Sequence, residues 1–143
     1  MKLNFIPVTM RLPLKFGAET IHSIQIAHVE FEAYGAVGRG ETPLSVGWAW
    51  PSDLSFAFRE KVMCDFLAEN WSAPASDPMS AGYEFLTRNL PRLHAEFNEK
   101  HQVGMPHLAA LICASAFDIA LHDAFGLAHR IPTYRTYNRK FME

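Results

Sequence analysis

From residue 5 to residue 14 the chain alternates, with Ile6, Val8, Met10, Leu12 and Leu14 on one side and Thr9 and Arg11 on the other. A period of two predicts a half-buried strand. Pro7 and Pro13 donate no ladder hydrogen bonds, so the strand belongs at a sheet edge or its ends fall there. Lys15 to Thr20 reads as a short loop around a glycine. A second strand is expected from about Ile21 to Tyr34, where Ala27, Val29, Phe31 and Ala33 alternate with His28, Glu30 and Glu32. Ile24 and Ile26 sit in the opposite phase, which a bulge or cover on both faces would explain; cover on both faces is the expectation. Gly35 to Glu41 reads as a tight glycine-rich reversal leading into a short third strand, and strands joined this closely pair antiparallel. Thr42 to Ser55 is irregular, with Trp48 and Trp50 read as exposed.

Helical spacing takes over at Ser55. Phe58, Val62 and Phe66, with Met63 and Leu67, form one stripe to about Asn70. Ser72 to Asp77 reads as a linker, and Asp77-Pro78 as a helix start, a capping side chain followed by a residue that needs no amide partner. Met79, Tyr83, Leu86, Leu90, Leu93 and Phe97 continue the periodicity, with a kink or break expected near Asn89 because of Pro91. A last helix runs from Pro106 to Gly126, read as its C′ residue. It is lined with small side chains (Ala109, Cys113, Ala116, Ala120) that permit close backbone approach. His129 to Glu143 has no periodicity. The predicted class is α+β: a three-stranded antiparallel meander followed by three or four helices.

Composition narrows the function classes. The chain has 143 residues, 49% of them apolar and 20% charged, which is one ordered domain with a real core. A net charge of −2 provides no general field for nucleic acid. Cys64 and Cys113 are too few for a disulfide framework, which points to a reducing compartment. The amino terminus lacks the pattern of a signal peptide, and no long uncharged apolar run reads as a membrane span. A soluble cytoplasmic protein is the expectation.

Candidate chemistry is sparse. Gly35-x-x-Gly38-x-Gly40 lacks the lysine and hydroxyl of a phosphate loop and precedes a strand, so it reads as a hairpin. His94, His101 and His107 lack zinc-ligand spacing, and Cys64 and Cys113 read as packing residues. Asp118 and Asp123 point about 140° apart on a helix, so they do not share a proton. Asp118 is expected to order a loop and Asp123 to face solvent. The tail from Arg130 to Lys140 interleaves four cations with Tyr134 and Tyr137, the texture of a single-strand-binding strip. On an acidic chain it reads as a solvated connector. Neither a catalytic nor a metal-ligating set is expected within the chain.

Three stretches carry a resemblance. Arg11-Leu-Pro-Leu-Lys-Phe16, Gly38-Arg-Gly-Glu41 and Ala114-Ser-Ala-Phe-Asp-Ile-Ala-Leu-His-Asp-Ala-Phe-Gly126 follow one another in this order, the last leading into Ile131-Pro132-Thr-Tyr134. Together they resemble the amino-terminal capping domain of the enolase superfamily, the mandelate racemase and muconate lactonizing enzyme group. The third resembles that group's A-x-A-x-D-x-A-L-W-D-x-x-G helix, with His122 in place of the tryptophan. Thr136-Tyr137-Asn138 stands where Leu-Leu-Gly is usual.

The resemblance implies a capping domain over residues 1–128 and a connector over 129–143 toward a missing (β/α)₇β barrel of roughly 200 residues or more, present in cis or trans. Such a barrel holds the catalytic bases and the acidic Mg²⁺ ligands; the parent enzyme abstracts the proton α to a small-molecule carboxylate and stabilises the enediolate. The parent is an isomerase or lyase: a racemase or epimerase, a cycloisomerase or an acid-sugar dehydratase. It also implies that two loops, 15–20 and 42–52, close over the substrate. Phe16, Glu19, Thr20, Trp48 and Trp50 are the implied substrate-binding residues. The small-residue face of the last helix is expected to need a partner, and the isolated chain to self-associate. The alternative is a stand-alone, non-catalytic binding or interaction module.

Overall fold

The computed structural model describes residues 1–17, 19–69 and 77–141. Strands β1 (Lys2–Phe16), β2 (Glu19–Ala33) and β3 (Ala36–Pro43) form one antiparallel sheet in the order β1-β2-β3. A single turn, α1 (Val46–Ala49), precedes four longer helices: α2 (Phe56–Leu67), α3 (Pro78–Glu84), α4 (Leu90–His101) and α5 (His107–His129). A π-helical turn (Phe85–Asn89) joins α3 to α4, and a 3₁₀ turn (Thr133–Thr136) follows α5. This is the expected α+β arrangement.

The β2–β3 reversal needs only two residues. Tyr34 (φ 54°) and Gly35 (φ 75°) both lie in the left-handed region, and Ala33 pairs directly with Ala36. Two consecutive positive φ values match the strand twist in a two-residue hairpin. Gly38 and Gly40, expected in the reversal, instead lie inside β3. A Cβ at Gly38 would overlap the carbonyl oxygen of Ala120, and one at Gly40 that of Ala116. The two glycines let α5 lie directly on the strand through Ala116, Ala120 and Ala124, all fully buried. The small-residue face expected to need an absent partner is therefore covered within the chain.

The side of β1 that carries Ile6, Val8 and Leu12 faces away from the core. Ile6, Val8, Leu12 and Leu14 are 42–75% exposed, whereas Leu3 and Phe5 pack against the core. Between Thr9 and Leu14 the strand advances five positions while its partner steps only two, from Ser23 to Ile21. This bulge reassigns the faces at the tip of the hairpin. Ile26 and Ile24 pair with Ile6 and Val8 on the outer face of the sheet, where they are half-buried against one another rather than covered by another layer. Ala27, Val29, Phe31 and Ala33 line the opposite, core-facing side.

Ser55 caps α2, its Oγ accepting from the Phe58 amide at 3.3 Å, and Asp77 Oδ1 caps α3 by accepting from Met79 and Ser80 at 3.0 and 3.2 Å. The rest of the expected linker before Asp77 lies outside the described residues. Val62, Met63, Phe66 and Leu67 are buried as the stripe predicts, although Phe58 is exposed. The effect expected of Pro91 takes the form of the π turn: a wider ring absorbs the missing amide. Phe97 meets Phe66 edge-on at 5.1 Å, but Met79, Tyr83 and Leu86 remain exposed.

Helix α5 runs three residues beyond Gly126 to a left-handed Arg130 (φ 57°), so Gly126 is not the C′ residue. A Cβ at Gly126 would lie 2.8 Å from Thr133 Oγ1. The tail uses that space to dock: Thr136 is fully buried, Tyr137 meets His122 and Phe141 meets His129. The tail is thus anchored to α5 at these points, while most of its other described residues are exposed. By length and apolar composition α5 would suffice to cross a membrane; here its burial under the sheet and the other helices accounts for that apolarity.

Candidate functional site

The bulge in β1 determines which residues meet at one end of the sheet. Phe16 pairs with Glu19 and Leu14 with Ile21, so these four share a face, while Lys15 and Thr20 pair on the other. Gly47, in α1, lies against the first group. A Cβ there would sit 2.8 Å from Glu19 Oε2, 3.4 Å from Ile21 and 3.7 Å from Phe16. The absence of a side chain at residue 47 makes room for the carboxylate.

That carboxylate has an internal partner. Arg59, on α2, donates from Nη2 to Glu19 Oε1, from Nη1 to the Trp50 carbonyl and from Nε to the Ser55 carbonyl at 3.4 Å. The Arg59 side chain is 1% exposed and that of Glu19 30%. A buried guanidinium is tolerable only with its donors satisfied, and two of the acceptors, Glu19 and the Trp50 carbonyl, belong to the segments 15–20 and 42–52. The spacing of α2 contains the signal for Arg59, which lies one turn before Val62 and Met63 on the core face. Reading that stripe only for apolar residues passes over it.

The five implied binding residues therefore separate. Phe16 and Glu19 meet beside Gly47, with Glu19 committed to Arg59, whereas Thr20 points to the opposite face. Trp48 is 55% exposed; Trp50, expected to be exposed, is only 3% so, because its side chain belongs to the core. The aromatic groups presented to solvent at this end are Phe16 and Trp48.

A second polar pair lies further along β2. Glu60 Oε1 accepts from the Gln25 amide at 3.0 Å, and Gln25 Oε1 is buried with no hydrogen-bond partner among the described residues. Burial raises the Glu60 pKa, with the Gln25 amide opposing. A carboxyl group whose folded pKa exceeds its unfolded value costs stability once ionised, and nothing when protonated in both states. Glu60→Gln is therefore expected to raise the melting temperature at neutral pH and to have no effect at about pH 3. The gain should stay under about 1 kcal/mol, since the side chain is only half-buried. Equal melting shifts at both pH values would contradict this assignment.

Other polar residues singled out in the sequence are held by local contacts. His94 Nε2 lies 2.6 Å from the Met105 carbonyl, beside Asn98, whose amide group holds both the N–H and the C=O of Met105. His107 meets the His94 ring at 5.5 Å and His101 stacks on Phe97. Burial pushes the Cys64 thiol up to about 11 and raises Cys113 further, the reverse of what activates a nucleophile. Asp123, expected in solvent, accepts the Arg39 amide at 2.9 Å and so fastens α5 to β3. Asp118 lies 3.9 Å from His122 Nε2, beside Gly82 of α3. Among the described residues no three His, Cys, Asp or Glu side chains converge to hold a metal.

No family model and no curated protein matches the chain. A functional reading rests on its own residues and their geometry.

Proposed function

We propose that this chain is the substrate-capping domain of an enolase-superfamily enzyme, covering a separate (β/α)₇β barrel in cis or trans. The observation that carries the reading is the meeting of two motifs some 80 positions apart. Gly38-x-Gly-Glu41 lies in β3 and its glycines fit against Ala116, Ala120 and Ala124 of the A-x-A-x-D-x-A-L-type helix. Their co-occurrence has a mechanical reason, since neither motif packs this closely without the other.

A second feature agrees. Tyr83, Leu86, Ile119, Tyr134 and Tyr137 are exposed on α3, the π turn, α5 and the tail, and α3 approaches α5 at Gly82 and Asp118. His122 lies among them, buried, with Nδ1 unpartnered among the described residues. Large apolar side chains of this kind are the ones a neighbouring domain covers. In this proposal these side chains, rather than the buried small-residue face of α5, are the ones a barrel covers or the isolated chain uses to self-associate.

In this reading the chain performs no bond-breaking step. The metal and the bases are those of the barrel, as the resemblance implies. The cap contributes by excluding water and contacting the part of the carboxylate substrate remote from the reacting carbon. In this proposal the exposed Phe16 and Trp48 make such contact, while Glu19 and Trp50 hold the segments that carry them.

The test is reconstitution. The chain is combined with the barrel encoded in the same or a neighbouring frame and assayed in D₂O for Mg²⁺-dependent exchange of the α-proton of carboxylate substrates. Exchange that requires this chain is expected. A barrel equally active and selective without it overturns the proposal, as does the absence of any barrel-coding frame, and either outcome favours the stand-alone module.

A further inference from the structure

We infer that Arg59 is a positioning residue that couples the tip of the β1–β2 hairpin to the segment between β3 and α2, so that the two move as one body. The ion pair stands by itself as the basis; only its use in substrate selection rests on the capping reading.

The argument begins with the arrangement of acceptors. Glu19 belongs to the hairpin tip, Trp50 to the segment after β3, and Ser55 to the start of α2, and one buried guanidinium serves all three. Arg59 is shut off from water at 1% exposure, so in this arrangement these acceptors, and not solvent, satisfy its donors. If the hairpin tip swings out, the guanidinium keeps its charge without its counter-ion. If the Trp50 peptide swings out, it loses a carbonyl, and the buried Trp50 side chain must leave the core as well.

Gly47 provides a second, steric contact between the same two segments. The Glu19 carboxylate occupies the space that a side chain at residue 47 would fill, with Phe16 and Ile21 on either side. Opening one segment therefore removes a wall from the seat of the other. Phe16 and Trp48, both exposed, belong to the two coupled segments, so a displacement of one segment carries over to the aromatic side chain of the other.

Hydrogen–deuterium exchange of the chain as it stands tests this. Glu19→Gln keeps the shape and removes the charge. It should accelerate exchange about tenfold both at residues 19–22 and at 46–50, with α4 and α5 unchanged. Gly47→Ala, which displaces the carboxylate from the other side, should accelerate the same two segments. Thr20→Val, on the opposite face of the hairpin, should leave 46–50 unchanged. Acceleration confined to 19–22 in Glu19→Gln overturns the coupling. A uniform acceleration that includes the slowest amides of α5 also overturns it, because it would make the ion pair a contributor to global stability alone. If Glu19→Gln fails to fold, the Gly47→Ala pattern decides by the same criteria. None of these outcomes depends on whether a barrel exists.

Discussion

Replacing Gly40 with alanine is expected to cost the chain more than about 3 kcal/mol, a large part of the 5–15 kcal/mol that holds a domain of this size together. The added methyl group would overlap the Ala116 carbonyl oxygen and stand 2.7 Å from the Ala120 amide nitrogen. Both are backbone atoms in the middle of a helix, so no rotamer change relieves the clash. Helix α5 would have to lift from β3, opening the contact made by Ala116, Ala120 and Ala124. Gly38→Ala should behave alike, because its Cβ meets the next turn of the same helix. Gly104→Ala is the control: nothing lies within 4 Å of its Cβ, and the effect should stay within about 0.5 kcal/mol. Urea denaturation of the three variants measures this. A Gly40→Ala protein within about 1 kcal/mol of the parent would mean that α5 does not seat on β3 this closely.

The two tryptophans that flank Ala49 are expected to part sharply. Trp50→Ala should lower stability by about 3–5 kcal/mol, the usual cost of removing a large aromatic side chain from a core. Trp48→Ala should change it by no more than about 0.5 kcal/mol, because the side chain is 55% exposed. In an assembled enzyme the order reverses. Under the capping reading Trp48→Ala raises KM or alters substrate preference, by about ten- to hundredfold if an aromatic contact worth about 1–3 kcal/mol is lost. Steady-state kinetics beside thermal melts separates the two effects. Unchanged kinetics with a lowered melting temperature would assign Trp48 to packing.

The resemblance to a capping domain rests on motifs whose residues are individually ordinary. Glycines in a strand and alanines on a helix occur for many reasons. Their meeting in space turns a spacing pattern into a physical constraint, because each pair of small residues is required by the other. Asp123 adds to the same junction by accepting the Arg39 amide between the two glycines. Residues outside the motifs, among them Met79, Tyr83 and Leu86, are the ones whose burial the helical period misjudged.

Local patterns sufficed for the elements. The alternation of Ala27 to Ala33 in β2, the cap at Asp77 and the proline at 91 each act within a few residues, and each has its counterpart in the structure. The α+β class was legible for the same reason, since strand and helix periods do not overlap along this chain. Direction was not legible. Period two states that Ile6, Val8, Leu12 and Leu14 differ from their neighbours but not which side meets the helices, and the bulge after Thr9 resets the faces again. The candidate site suffered most from this. Glu19, Trp50 and Arg59 are far apart in sequence, and nothing local indicates that a guanidinium on α2 takes up the charge of one loop and the carbonyl of the other. Local chemistry determines which stretches become strands and helices, while packing moves their ends, as at Gly126 and at Gly38 and Gly40. Which faces are buried, and which charges remain free for a ligand, is decided only when the elements pack, because burial and pairing are properties of the assembled neighbourhood rather than of any one segment.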